Sequence, residues 1–169
     1  MWYLKRSEDA WVYFQSGSDL GVIFGLGVIT SGPIWASAEW GRPWDWGDMR
    51  LNSFALLTAV ALFLVYSRQS QPDTQQNRDT LSAVGLFGFA LVPITAGATT
   101  WWETTHPEVL IVESSETLGM SPDIRSFLLI SFGLMCILFT GLLLLSNKRY
   151  RLAAKVSGRK NELDQEVVS

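Results

Sequence analysis

A chain of 169 residues with 13 Lys and Arg against 16 Asp and Glu, net charge −3, has the length of one domain. Its 48% hydrophobic and 17% charged content fits a soluble or a membrane protein. A single cysteine, Cys136, excludes an internal disulfide framework.

The distribution of charge decides the class. Charges are absent from Leu20 to Ala38, from Leu51 to Ser67, from Leu81 to Trp102 and from Ser126 to Asn147. Each run approaches the ~20 residues that a helix needs to cross a ~30 Å hydrocarbon layer. Backbone groups in lipid must bond within their own segment, so helices are the open spanning structure this pattern allows. The expected fold is an all-α polytopic membrane helix bundle of about four transmembrane helices, at about 19–37, 51–67, 80–102 and 126–147. Residues 1–150 form the membrane domain and 151–169 a tail.

In chain order, "MWYLKRSEDAWVYF" lacks the apolar core of a cleavable signal and reads as a cytoplasmic foot. The first helix carries Gly21 and Gly25 as a small-xxx-small pair, which predicts close packing on another helix. Pro33 should weaken its last turn and help direct the chain into the loop "EWGRPWDWGDMRLNS". After the second helix comes a polar connection, "SRQSQPDTQQNRD". The third helix contains Pro93, a predicted kink, and leads into "WWETTH". The fourth holds Cys136, read as packing, and its tail reads as a helical extension fraying into "NELDQEVVS".

Lys and Arg tend to remain on the cytoplasmic side. Ten of the thirteen flank the chain start, the second connection and the end of the fourth helix; Arg42, Arg50 and Arg125 are the exceptions. Both ends of the sequence are therefore expected to be cytoplasmic, with both tryptophan-bearing loops on the outer face of the plasma membrane. The basic tail is a topology determinant rather than a nucleic-acid site, since no aromatic residue beyond Tyr150 interleaves it.

Six of the eight tryptophans, Trp35, Trp40, Trp44, Trp46, Trp101 and Trp102, fall on that outer face with the sole histidine, His106. An aromatic belt is the plain reading, because Trp favours the headgroup level. Yet "WGRPWDW" sets three rings within seven residues among Gly, Pro and charge, so most cannot share one belt plane. They read as a platform. Arg42 and Arg50 can meet anionic groups of whatever lies on it, and His106 supplies an imidazole nearby. A flat apolar ring system with carboxylate arms and an iron atom uses all three features, and haem is that ligand. Enzyme chemistry finds little support: no G-x-S-x-G surrounds a serine, no Cys/His metal spacing occurs, and no glycine loop precedes a phosphate-binding Lys. Glu113 and Glu116 read as a solvated face.

The stretch "WGRPWDWGDMRLNS", a transmembrane run, a polar linker and a second run ending in "WWETTHPEVL" resemble the haem-handling protein family of cytochrome c maturation, which includes CcmC, CcmF and CcsA. The likeness spans about Asp19 to Tyr150 and is nearest to the CcmC branch without its first two helices. Trp40, Gly41, Trp44, Trp46, Asp48, Arg50, Leu51 and Ser53 occupy or approximate the family's W-G-x-x-W and W-D-x-R-L-T-S pattern. Here "WGD" stands where the family usually has "WD", and the loop is shorter. The resemblance implies haem b held at the outer leaflet, His106 as an axial iron ligand, and a surface formed by Trp40, Trp44, Trp46, Asp48, Arg50, Trp101 and Trp102. It also implies a CcmE-like haem carrier, CcmD-like and ABC-transporter CcmA/CcmB-like subunits, and a separate chain supplying two further helices and the second histidine. A transfer protein, not an enzyme, is expected. A b-type haem electron-transfer subunit and a structural subunit of a membrane complex are the alternatives.

Overall fold

The computed structural model describes residues 6–101 and 122–168, and among them every regular element is helical. The four helices are α1 (Glu8–Trp40), α2 (Met49–Ser70), α3 (Gln75–Trp101) and α4 (Pro122–Val168). Three of them, α1, α2 and α4, are long and apolar enough to cross a membrane, which makes this an all-α, multi-pass membrane protein.

The helices overrun the uncharged stretches. Ser7 caps α1 by accepting from the Ala10 N–H at 3.3 Å, and Glu8 and Asp9 place negative charge against the positive end of the helix. Pro33 does not turn the chain. The helix continues through Trp40 and stops at Gly41, whose φ of 72° is a left-handed conformation that glycine adopts without a Cβ clash. Trp35 and Trp40 therefore ride on helix rather than loop. At the far end of the sequence, α4 is unbroken for 47 residues, so the segment expected to fray is helical as far as Val168.

In space the helices are neighbours in the order α3, α2, α1, α4. The small residues explain how closely they approach. A Cβ built on Gly21 would stand 3.3 Å from the Ala61 Cβ, and one on Gly25 would stand 2.6 Å from the Thr58 hydroxyl. The Gly21/Gly25 pair is thus the face on which α2 lies. On the other side of α2, Gly88 makes room for Val60 in the same way.

The apolar core sits toward one end, where Trp11, Leu64 and Leu81 are buried and Phe14, Val60 and Val84 pack around them. Trp11 stacks on Phe14 with centroids 5.0 Å apart, and the Arg78 guanidinium lies 5.0 Å over the Trp11 ring. Charge closes this end. Asp19 receives Arg68 at 2.6 Å, Arg149 at 2.8 Å and the Tyr150 hydroxyl at 2.6 Å, which joins α1, α2 and α4. Arg78 pairs with Glu8 and Asp73, both at 2.6 Å. Cys136 does not pack as expected: it is exposed on α4, whose spanning part is covered little by the other helices.

Candidate functional site

The opposite end of the bundle is formed by the last turns of α1, residues 41–48 and the start of α2. Helix geometry sets it up. Ala36 and Trp40 are one turn apart on α1, and Trp35 meets Trp40 edge-on, with centroids 4.8 Å apart and planes at 78°. After Gly41 the chain turns back so that Trp44 and Trp46 meet at 5.7 Å and 59°. Between the pairs lies a shallow cleft of about 60 Å³ whose lining includes Trp35, Trp40, Trp44, Arg42 and Asp48, with the buried Ala36 below. That is far below the ~300 Å³ of an enclosing ligand pocket. Among the described residues this is an open aromatic surface rather than an enclosing pocket.

Polar groups hold the loop. Asp45 pairs with Arg42 at 3.2 Å and accepts the Gly47 N–H at 2.9 Å. Asp48, 4% exposed, caps α2 by accepting from the Arg50 and Leu51 N–H groups at 2.9 and 3.1 Å. One turn into α2, the Asn52 amide donates to the Trp46 carbonyl at 2.7 Å. At this end of the bundle the buried Trp44 indole Nε1 and Asn52 Oδ1 have no hydrogen-bond partner among the described residues. A buried N–H with nothing to bond is a costly group to leave idle, and it is available to an acceptor on a ligand.

The structure thus brings Trp35, Trp40, Trp44 and Asp48 to one cleft, sets Trp46 against Trp44, and joins Arg50 to the site through its backbone N–H on Asp48. Asp48 is engaged in capping, and no carboxylate pairs with the Arg50 guanidinium among the described residues. Trp101 closes α3 as its last residue. Trp102 and His106 lie outside the described residues, as do Glu113 and Glu116. Among the described residues no group of three or more His, Cys, Asp or Glu could hold a metal ion. Asn52 and Asp45 were not singled out from the sequence. Asp45 had a readable signal, a carboxylate two residues before Gly47 as in an Asx turn. Asn52 lies four residues after the cap Asp48, on the helix face that looks back over the loop.

The site is thus an aromatic cleft with Arg42, paired to Asp45, in its lining and an unpartnered Trp44 indole N–H. Comparison with known proteins gives this geometry a family context. Residues 1–163 match the family model described as Heme exporter protein C. Heme exporter protein C of Bradyrhizobium diazoefficiens is 28% identical over 135 residues, covering 80% of this chain and 49% of that protein. The protein of the same name from Paracoccus denitrificans is 23% identical over 158 residues, covering 91% and 65%. A putative cytochrome c biosynthesis ccmC-like mitochondrial protein of Arabidopsis thaliana is 28% identical over 151 residues, covering 86% and 56%. The chain spans about half the length of the first of these relatives. No solved structure matches it.

Proposed function

The chain belongs to the Heme exporter protein C family, and on that premise we propose that it handles haem for cytochrome c biogenesis, binding haem b on its tryptophan end and presenting it to a CcmE-like carrier. The observation that carries this reading is the aromatic surface of Trp35, Trp40, Trp44 and Trp46, with an unpartnered buried indole N–H inside it. Such a surface suits a ligand that must be held and then released, because one face of the ligand stays open to a carrier. The Trp faces supply apolar contact and stacking, worth roughly 0.5–1.5 kcal/mol per ring pair beyond area. Arg50, and Arg42 once it leaves Asp45, can pair with haem carboxylates. His106 supplies the axial imidazole.

In this reading the tryptophan end faces outward across the plasma membrane, and the basic end lies on the cytoplasmic side. CcmD-like and CcmA/CcmB-like subunits, and a chain supplying a second histidine, assemble with it. The protein transfers haem without turning over a covalent substrate.

Haemin titration of the purified chain, followed by its Soret band, tests the proposal. His106→Ala should remove most of the bound-haem spectrum while membrane insertion is retained, since insertion depends on the apolar runs. Retention of the full spectrum by His106→Ala would remove the assignment of the iron ligand. Bound haem that never moves to a CcmE-like carrier domain would favour a resident b-type cytochrome.

A further inference from the structure

Beyond Tyr150 helix α4 leaves the bundle. Residues 151–168 add about 27 Å of helix at 1.5 Å per residue, and the side chains from Arg151 to Glu166 are all exposed. An ion pair from Arg151 to Asp9 at 2.8 Å ties the base of this arm to α1. The arm is nucleated by the rest of α4 but has no packed face of its own, which is what chiefly holds helices in proteins, and Gly158 lies at its middle.

The arm has a face to pack. Leu152, Val156 and Leu163, at 61%, 68% and 52% exposure, fall within an arc of about 40° at 100° per residue. Their spacing of four and then seven follows a coiled-coil seam, with Arg159 at the intervening seam position. Charge along the arm is segregated. Arg151, Lys155, Arg159 and Lys160 come first, and Glu162, Asp164 and Glu166 follow toward the far end.

We propose that residues 151–168 of α4 form a docking arm for one amphipathic helix of another protein. That helix would cover Leu152, Val156 and Leu163 with an apolar stripe, carry acidic flanks beside Lys155, Arg159 and Lys160, and basic flanks beside Glu162 and Asp164. A second copy of this chain is a poor occupant. Two copies in one membrane raise their arms in parallel, which sets Arg159 against Arg159 in the seam and Lys155 across from Lys160, and like charges so placed oppose pairing. A lipid surface is also disfavoured, because α4 is one unbroken helix and the arm continues the direction of the spanning part. The proposal stands independently of haem binding.

The test uses the full chain in phosphatidylcholine nanodiscs and two labelled three-heptad peptides with Leu at their seam positions. One peptide carries the complementary order of Glu and Lys flanks, and the other the reverse order. Fluorescence anisotropy should show the complementary peptide binding ~10-fold tighter or more, and the Val156→Asp, Leu163→Asp double variant should lose a similar factor. Lys155→Glu with Arg159→Glu and Lys160→Glu should weaken the preferred peptide and favour the other; all these residues are exposed, so the bundle is untouched. Equal affinity for both peptides, or full binding by the double variant, overturns the proposal. So does a dimer in solution that Val156→Asp and Leu163→Asp disperse, which would assign the stripe to a second copy. A spin label at Ser157 that enters the headgroup layer of phosphatidylglycerol nanodiscs would assign it to lipid and overturn the proposal as well.

Discussion

At the basic end, Asp19 gathers Arg68, Arg149 and Tyr150 from two other helices, and Trp11 is 3% exposed beneath Arg78. At the tryptophan end, the hydrogen bonds of Asp45, Asp48 and Asn52 run within residues 45–52, and Trp46 stands 83% exposed. Both ends carry Trp and Arg, yet the same residue types sit in different surroundings. Where guanidinium and indole are paired across helices they hold the bundle together. At the tryptophan end Arg42 pairs with Asp45 three residues on and Trp46 faces solvent, so the loop is braced locally and leaves aromatic surface exposed.

The largest expected effect tests the first half of that contrast. Trp11→Ala removes the ring that Phe14, Leu64, Leu81 and Arg78 pack against, and should cost about 3–5 kcal/mol of stability. Unfolding in mixed micelles measures it. Haem affinity of the folded fraction should not change, and a selective loss of haem binding would mean that the two ends are coupled.

Next in size is the seam between them. Gly25→Ala would push a methyl to 2.6 Å from the Thr58 hydroxyl, which itself bonds back to the Phe54 carbonyl at 2.8 Å. Relief requires α1 and α2 to separate, at about 1–3 kcal/mol. Gly27→Ala on the same helix meets nothing within 4 Å and is the control. Equal stability of the two variants would show that α1 and α2 do not meet through this face.

The open end responds more gently. Trp44→Ala deletes a half-buried ring and its unpartnered Nε1, whereas Trp46→Ala deletes one that is mostly solvated. The haem dissociation constant should rise by a few-fold to about tenfold for Trp44→Ala, as expected for roughly 0.5–1.5 kcal/mol, and by less for Trp46→Ala. Stability should move little in either variant. If unfolding shifts as far as it does for Trp11→Ala, the loop is core and not platform.

How much of this was legible in the sequence follows from range of interaction. The uncharged runs marked the helix middles, and Gly21 and Gly25 marked a contact, because hydropathy and side-chain size are local properties. Trp40, Trp44 and Trp46 were legible as neighbours because they are close in sequence. Helix extents were less so. The first helix begins well before its apolar run because Trp11 and Phe14 pack on Leu64 and Leu81 of other helices, and charged neighbours hid that amphipathic segment. Ser7 followed by two acids was a readable cap that hydropathy alone passes over. Pro33 signals a weakened last turn that directs the chain into the loop, yet its missing N–H removes one bond and α1 continues to Trp40. Cys136 was read as packed because its run is apolar, but in a membrane an apolar residue can be satisfied facing outward.

The smallest effect concerns a charge pair at the basic end that is not shielded. Asp73, 57% exposed, accepts two hydrogen bonds from Arg78, at 2.6 and 2.7 Å, and these hold its carboxyl below the ordinary carboxylate range. A depressed value means that the folded state favours the ionised form. The stabilisation is therefore full above the unfolded value of about 3.9 and is lost as pH falls through the lower folded value. Solvent screening limits it to about 0–1 kcal/mol, and Arg78 keeps Glu8 at 2.6 Å when Asp73 is neutralised. Asp73→Asn should accordingly lower stability slightly at pH 7, and the gap from the unaltered protein should close as pH falls below about 4. A gap that stays constant down to pH 2 would show that Asp73 acts through the shape of the turn before α3 and not through its charge.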